Sequence, residues 1–399
     1  MDEVKKKIKA LASEFHPDIV AIRRELHAHP ELSFQEYDTA ELIANFLKEF
    51  KIPFAQGIAK TGLVGIIEGS DPGKKTIALR ADMDALPILE KNDVVYKSGN
   101  LGIMHACGHD VHMSCLLGAA RILQQIKKGF EGTIKLIFQP SEEKYPGGAK
   151  IMIEEGVLKD PDVNAIFGQH VFPELEVGKV GLKSGKYMAS TDEVYLTVTG
   201  KGGHAAIPDQ VIDPVLIASH IIVALQQIVS RNARPTVPTV ISFGGIHSEG
   251  KTNIIPDEVK VEGIIRTFDE NWRSEIKKLI VRIAKAIAEG MGGTCEVFID
   301  PGYPYLVNDV ELTSKTRQYF VDYLGEEQVV DLDMRMTAED FSYFAQAVPG
   351  CFFRLGVRNE EKGITSNLHT STFNVDERSL EIGSGLLAWL AYKELSHAH

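Results

Sequence analysis

The chain has 399 residues, of which 44% are hydrophobic and 25% charged, and its formal net charge is −12. This length favours two domains, and the acidic charge without a long basic run argues against nucleic acid or a membrane as partner. Only four cysteines are present, too few for a disulfide framework, so we expect reduced thiols and a cytoplasmic protein.

In the first half of the chain, strand patterns alternate with helix patterns. Helical spacing of apolar residues over 18–49 is interrupted at Pro30, which predicts two helices. The elements predicted after these are strands 63–68, 76–79, 133–138 and 163–170 and helices 113–126 and 149–156. This alternation predicts an α/β fold with a mostly parallel central sheet. Ligands bind such sheets at the carboxyl ends of the strands, where Asp82, Glu142 and His170 follow.

The pattern changes near Tyr187 and returns near Pro301. The elements predicted between these points are strands 193–199, 239–243, 259–267 and 294–299 and helices 214–231 and 272–289. Their β-α-β-β-α-β order is that of a ferredoxin-like unit. We therefore predict a catalytic domain formed by 1–186 and 300–399, with an α+β domain inserted at 187–299. The apolar stretch 215–229 is interrupted by polar residues such as His220, which predicts a buried helix and no membrane span.

Two short segments carry the residue types of a metal site. They are His105-Ala106-Cys107-Gly108-His109-Asp110-Val111-His112 and, about thirty residues later, Ser141-Glu142-Glu143. Zinc-class cations accept thiolate, imidazole and carboxylate together. Of two adjacent glutamates, one can bind a metal while the other transfers protons. These segments predict a metal-dependent hydrolase.

These segments belong to a series of motifs through which the chain resembles the M20 family of metallopeptidases. Within that family it is most similar to the amidohydrolase subfamily, which contains N-acyl-amino-acid, hippurate and auxin-conjugate hydrolases. Besides the two segments above, the motifs that carry the resemblance are Arg23-Arg24-Glu25-Leu26-His27-Ala28-His29-Pro30-Glu31-Leu32, Arg80-Ala81-Asp82-Met83-Asp84-Ala85-Leu86-Pro87, Gly200-Lys201-Gly202-Gly203-His204, Asn253-Ile254-Ile255-Pro256 and Ala338-Glu339-Asp340-Phe341.

The resemblance implies a phosphorylase/hydrolase-like catalytic domain, an inserted lid domain that also forms a homodimer, and two divalent cations per subunit. Zn²⁺ is the first expectation because of the thiolate, and Mn²⁺, Co²⁺ or Ni²⁺ are alternatives. The metal ligands that it implies are Cys107, His109, Glu143, His170 and His369. It further implies Glu142 as general base and Asp84 as the carboxylate that orients a ligand imidazole.

The resemblance also implies roles for three residues of the inserted domain. His204 would stabilise the oxyanion, in dimeric relatives by reaching the neighbouring subunit's site. Asn253 and Arg266 would hold the free carboxylate of the substrate. The expected reaction is hydrolysis of an N-acyl-amino acid, with a carboxypeptidase or dipeptidase acting on short peptides as the alternative. Two less favoured hypotheses are a catalytically inactive, metal-loaded protein that binds acidic small molecules and an enzyme that uses the Cys107 thiol as its nucleophile.

Several neighbouring residues have simpler interpretations. His105 and His112 are expected to form hydrogen bonds near the site without binding metal. His27 and His29 are expected to serve a helix end and a turn. Asp340 is expected to cap the helix that starts near Phe341.

Overall fold

The computed structural model describes residues 2–396, and Met1 and residues 397–399 lie outside the described part. The chain forms two compact units. The first unit contains the chain up to Gly185, the segment Val307–Asp333 and the chain from Asp340 onward. The second unit contains Lys186–Leu306 and Met334–Glu339.

The helices and strands alternate along most of the described chain. The helices are α1 (Asp2–Ala28), α2 (Tyr37–Glu49), α3 (His109–Ile126), α4 (Gly148–Glu154), α5 (Pro214–Gln227), α6 (Glu270–Gly290), α7 (Val310–Leu324), α8 (Phe341–Ala347) and α9 (Arg378–Ser396). The strands are β1 (Phe54–Ile58), β2 (Gly62–Glu68), β3 (Thr76–Asp82), β4 (Thr133–Gln139), β5 (Ala165–Glu176), β6 (Val180–Leu182), β7 (Gly185–Met188), β8 (Asp192–Thr199), β9 (Gly203–His204), β10 (Thr239–Ser248), β11 (Ile254–Ile255), β12 (Glu258–Thr267), β13 (Thr294–Pro301), β14 (Leu306–Asn308), β15 (Val329–Asp331) and β16 (Gly350–Arg358).

The first unit is built on an eight-stranded sheet with the order β1-β2-β4-β3-β5-β16-β6-β15. The pairs β4–β3, β3–β5, β5–β16 and β6–β15 are parallel, and the other three are antiparallel. Every residue of β3 and β4 is buried, including Arg80, Asp82 and Lys135, because both strands lie in the interior of the sheet. Helices α1, α3 and α9 pack together against this sheet. The prediction of an α/β fold with a mostly parallel central sheet is confirmed.

The second unit contains a four-stranded antiparallel sheet with the order β10-β12-β8-β13. Helices α5 and α6 pack against this sheet and form a separate apolar core with it. The observed limits differ from the predicted domain limits of 187 and 299. Strand β13 continues to Pro301, paired with Asp192, and the Arg335 amide donates to the Tyr187 carbonyl. Residues 300–306 and Met334–Glu339 therefore belong to the second unit.

Helix α5 is only partly buried, in contrast to the prediction of a buried helix. Among the described residues, the helical segment Pro214–Asn232 is the one long and apolar enough to cross a membrane, and 33% of it is buried. Ile217 and Ile221 lie in the core, whereas Val215 and Val223 are exposed. One face of the helix packs on the sheet and the other faces outward, because a helix on a sheet can bury only one side.

Candidate active site

The carboxyl ends of β3 and β4 lie level with the middle of β5, which carries His170. Asp82, the last residue of β3, lies opposite Gln139, the last residue of β4. Arg80 of β3 lies opposite Gly168 of β5, so His170 is level with the end of β3. Parallel pairing therefore brings Asp82, the end of β4 and His170 to the same level, but His170 lies within β5 and does not follow the strand as predicted, because β5 continues to Glu176.

Gly108 allows two predicted ligands to lie on either side of the start of α3. Its φ is 84°, a left-handed conformation that glycine adopts without steric cost. A Cβ atom at this position would lie 2.5 Å from Cγ2 of Val171. The turn at Gly108 therefore presents Cys107 just before the helix and His109 at its first position.

The five predicted metal ligands and Glu142 lie together in the first unit. Their ligand atoms fall into three overlapping groups, each with all atoms within 4.8 Å of one another. These groups are Cys107 with His109 and His170, Cys107 with Glu143 and His369, and His109 with Glu142 and Glu143. The Nε2 atoms of His170 and His369 each lie 3.4 Å from Sγ of Cys107. The thiol of Cys107 belongs to two of these groups, and the third shares His109 and Glu143 with them.

Two of the imidazoles are oriented by hydrogen bonds on their outer nitrogen. Nδ1 of His109 lies 2.7 Å from the Asp84 carbonyl oxygen, and Nδ1 of His170 lies 2.7 Å from the Val171 carbonyl oxygen. Because Nδ1 donates in both cases, the Nε2 lone pair points into the cluster, as in metal-binding histidines. In the described part of the chain, Nε2 of His109 is buried without a hydrogen-bond partner.

The donor set fits a divalent cation. Buried polar atoms are usually hydrogen-bonded, so the unpartnered Nε2 of His109 needs an explanation. Oε1 of Glu143 likewise forms no regular hydrogen bond within the described residues, although it lies 3.2 Å from Nε2 of His369. Thiol, imidazole and carboxylate groups that converge in this way are the ligands of zinc-class metals.

The two adjacent glutamates are held by Asp84 through their backbone. Oδ1 of Asp84 accepts a hydrogen bond from the Glu142 amide at 2.9 Å, and Oδ2 accepts one from the Glu143 amide at 3.0 Å. The hydroxyl of Ser33 donates to the same carboxylate at 2.6 Å. The buried carboxylate of Asp84 thus holds the backbone of both glutamates. His109 is hydrogen-bonded by the backbone carbonyl of Asp84 at 2.7 Å, while the carboxylate that the sequence-based expectation assigned to this contact lies 3.3 Å from the same nitrogen.

The electrostatics of the cluster in the absence of a cation are unfavourable for a thiolate. Burial and the neighbouring carboxylates of Glu143 and Glu142 raise the pKa of the Cys107 thiol well above its usual value. Burial lowers the pKa of His109, but the carboxylates of Asp82 and Asp84 outweigh it and raise this pKa to about 10. A bound cation reverses both tendencies because it stabilises a thiolate and a neutral imidazole.

His112 forms the hydrogen bonds expected of it. Its Nδ1 lies 2.5 Å from Oδ1 of Asp82, and its Nε2 accepts from the Val171 amide at 2.9 Å. His105 does not: within residues 2–396 neither of its ring nitrogens has a hydrogen-bond partner, and burial lowers its pKa to about 3. The expectation that His105 forms hydrogen bonds near the site is therefore wrong.

The expectation that Asp340 caps the following helix is wrong. Its side chain makes no capping hydrogen bond. Instead, its buried carboxylate lies 2.8 Å from the guanidinium of Arg80 and accepts hydrogen bonds from Gln139. The carboxylate is drawn to the buried guanidinium because an unpaired charge there is very costly.

His27 is also more than a helix-end residue. Its ring lies between two buried carboxylates, with Nδ1 2.8 Å from Asp110 and Nε2 3.1 Å from Glu90. His29, in contrast, is exposed and does not lie between buried carboxylates. A further residue near the cluster, Glu36, had no signal in the sequence pattern, because its contacts come from segments far apart in the chain.

The remaining predicted site residues lie in the second unit. His204 belongs to the short strand β9 and pairs with Ile254 of β11, and the Ala205 amide donates to the Asn253 carbonyl at 3.1 Å. His204 and Asn253 are therefore neighbours. Arg266 lies on β12 opposite Val240 of β10.

Comparisons with known proteins agree with this geometry. A model of "Peptidase family M20/M25/M40" matches residues 78–393. "Thermostable carboxypeptidase 2" of Saccharolobus solfataricus is 44% identical over 396 residues, which cover 98% of this chain and 99% of the relative. "N-acetyl-L-cysteine deacetylase" of Bacillus subtilis is 39% identical over 368 residues, covering 92% of this chain and 86% of the relative.

A solved structure extends the likeness to the fold. The Bacillus subtilis YXEP protein, a dinuclear metal binding peptidase from the M20 family, superimposes with a TM-score of 0.82 at 35% identity. The match covers 96% of this chain and 99% of that one. The resemblance inferred from the sequence motifs is confirmed, and the chain belongs to the M20/M25/M40 family of peptidases.

Proposed function

We propose that this protein hydrolyses the amide bond of N-acyl-L-amino acids and releases a carboxylic acid and a free amino acid. The observation that carries the proposal is the pair Glu142 and Glu143, held side by side by the Asp84 carboxylate next to the thiol–imidazole cluster. One glutamate can bind metal while the other remains available for proton transfer. The likeness to a deacetylase of an N-acetyl amino acid favours this substrate class.

In the proposed mechanism, Cys107, His109, Glu143, His170 and His369 hold two divalent cations. When bound, these cations supply Lewis acidity and lower the pKa of water toward 7 from about 15.7. Glu142 accepts the proton of the attacking water and delivers it to the leaving amine. Asp84 keeps Glu142 in place. Thiolate favours Zn²⁺, while Mn²⁺, Co²⁺ and Ni²⁺ remain candidates.

The second unit is proposed to act as the lid that recognises the substrate. Its element order and its strand order are those of a ferredoxin-like unit. His204 would donate a hydrogen bond to the oxyanion, and Asn253 and Arg266 would bind the carboxylate of the amino acid. The proximity of His204 and Asn253 in this unit supports a shared role.

A homodimer is proposed on the exposed apolar surface of the second unit. Val223 on α5 is 74% exposed, and Ile246 on β10, an edge strand, is 59% exposed. The two residues lie on elements that contact each other. Burying these side chains against a second copy removes apolar surface from water. We also propose a cytoplasmic location, since the four cysteines are free and buried.

A carboxypeptidase acting on short peptides is the second candidate. It is favoured by the 44% identity to a thermostable carboxypeptidase over nearly the whole chain. The chemistry of the metals and of Glu142 is the same in both cases. Only the groups that receive the acyl side of the substrate differ, and one methylene there is worth only about 1–3 kcal/mol.

The proposal is tested by stripping the purified protein of metal and reloading it separately with Zn²⁺, Mn²⁺, Co²⁺ or Ni²⁺. Each form is assayed for amino-acid release from N-acyl-amino acids and from dipeptides, with metal content measured in parallel. We expect metal-dependent release from the acyl series. Cleavage of dipeptides alone would establish the carboxypeptidase, and inactivity of all loaded forms on both series would contradict both candidates.

A further inference from the structure

Three successive backbone amides near the metal cluster each donate to a buried carboxylate. They belong to Ser141, Glu142 and Glu143, which we call the glutamate turn. Asp84 accepts from the second and third amides, and Oε1 of Glu36 accepts from the first at 2.9 Å. The turn is therefore held by two acidic residues from distant parts of the chain.

The turn needs this support because its first residue has an unfavourable backbone conformation. Ser141 has a φ of 51°, in the left-handed region that costs a non-glycine residue of order 1 kcal/mol or more. Its carbonyl accepts from the Gly148 amide at 2.8 Å, and its amide donates to Glu36. Loss of the Glu36 contact would leave a buried amide unpaired and allow the strained residue to relax.

Glu36 is itself completely buried and fixed by its surroundings. Its Oε1 also accepts from the Phe34 amide at 2.9 Å, and its Oε2 accepts from the Thr61 hydroxyl at 2.7 Å. Burial and the nearby Asp84 carboxylate raise the pKa of Glu36 to about 6. Burying this carboxyl is costly in itself, and its three hydrogen bonds offset part of that cost.

Glu36 is not explained by the helix that follows it. Although it precedes α2, its side chain makes no capping hydrogen bond. The start of α2 is capped by Glu31, whose carboxylate accepts hydrogen bonds from the amides of Tyr37, Asp38 and Thr39. The two glutamates are close in sequence but hold different structures, one the helix and the other the glutamate turn.

We propose that Glu36 is a positioning residue that, with Asp84, sets the glutamate turn so that Glu142 and Glu143 face the metal cluster. The inference rests on the proposed function in one respect, because it takes Glu142 as the base and Glu143 as a metal ligand. Glu36 does not touch the reacting atoms. It acts through the Ser141 amide.

The test compares Glu36→Ala, Glu36→Asp and Glu36→Gln with Glu31→Ala as the matched control. Two quantities are measured: the Zn²⁺ affinity, by competition with a chromophoric chelator, and kcat and KM of the zinc-loaded protein. Removing an outer partner of a metal site typically lowers affinity or activity by about 10–100-fold. We expect that loss in zinc affinity and kcat for Glu36→Ala, with KM changed less than about threefold.

The other variants separate positioning from general stability. Glu36→Asp keeps the charge but cannot reach the Ser141 amide, so it should behave like Glu36→Ala. Glu36→Gln keeps an acceptor oxygen for that amide and should retain most of the zinc affinity and most of kcat. Glu31→Ala should lower the melting temperature and leave zinc affinity and kcat unchanged. If Glu36→Ala does not fold, the contrast between the Asp and Gln variants decides.

Failure of this inference can be distinguished from failure of the proposed function. If the Glu36 variants bind zinc and turn over substrate like the wild type, Glu36 is not a positioning residue, and the hydrolase remains. If the wild type hydrolyses neither substrate series but its zinc affinity still falls in Glu36→Ala and Glu36→Asp alone, the hydrolase fails and the positioning of the turn stands.

Discussion

At the scale of single residues, one buried carboxylate determines where two others lie. Asp84 accepts the amides of both Glu142 and Glu143, so the backbone of the pair is fixed while the side chains remain free for different tasks. The motif around Cys107 and the adjacent glutamates could be recognised from sequence, because the residue types are close together. The contribution of Glu36 could not, since Ser141 lies 105 positions away.

The division of labour between the glutamates gives the first prediction. Glu142→Gln should lower kcat by about 10²–10⁴-fold, because the amide cannot accept the water's proton. Its metal content, measured by atomic emission, should equal that of the wild type. Glu143→Gln is the matched control, and it should lose part of the metal. Wild-type turnover by Glu142→Gln would remove Glu142 from the role of base.

Glu36 gives a prediction about pH and stability in the metal-free protein. Burial and Asp84 raise its folded pKa to about 6 from 4.5, so the folded state binds this proton more tightly than the unfolded state. Protonated Glu36 therefore contributes about 2 kcal/mol to the free energy of unfolding below pH 4.5, and this contribution is lost as pH rises through 6.

Urea unfolding of the wild type and of Glu36→Gln from pH 4.5 to 7 measures this effect. As pH rises, the wild type should lose about 2 kcal/mol of unfolding free energy relative to Glu36→Gln, which has no group that titrates at this position. A constant difference across this interval would show that the folded pKa of Glu36 is not raised.

At the scale of elements, sequence patterns are sufficient for some strands but not for the start of the first helix. The predicted strands 133–138 and 259–267 agree closely with β4 and β12. Helix α1 begins at Asp2 and contains Pro17, whereas helical spacing was recognised only from residue 18. Burial of Ile8, Leu11 and Phe15 holds the helix together across the proline, a packing contribution that local propensity does not contain.

The start of α3 gives a prediction about a glycine. Gly108→Ala should destabilise the fold by about 2–4 kcal/mol, because it adds a strained φ and a clash with Val171. Gly156→Ala is the control: its φ is +87° and nothing lies within 4 Å of the added Cβ, so it should cost only about 1 kcal/mol. Urea denaturation measures both, and equal costs would mean that the clash at Gly108 is relieved.

At the scale of the whole molecule, the chain forms two units with separate cores, and the predicted site residues are divided between them. The metal cluster belongs to the first, and His204, Asn253 and Arg266 belong to the second. The second unit also carries exposed apolar side chains on α5 and on the edge strand β10, among them Val223 and Ile246.

The proposed dimer gives the prediction at this scale. Val223→Glu should convert the dimer to a monomer, because it places a charge in the apolar contact, and sedimentation velocity measures the change. Phe298→Glu on β13, the opposite edge strand, is the matched control and should leave the mass unchanged. A Val223→Glu protein that remains dimeric would place the interface elsewhere.

The sequence by itself determined the family, the class of fold, the order of most elements and the residue types of the metal cluster. Each of these depends on local patterns or short motifs that a single chain contains. Tertiary structure alone decided that Glu36 accepts the Ser141 amide and that Asp340 pairs with Arg80. It also decided that His105 forms no hydrogen bond within the described residues and that α5 leaves one face exposed. These features depend on which distant segments meet in space, and burial there makes the pairing of each polar group decisive.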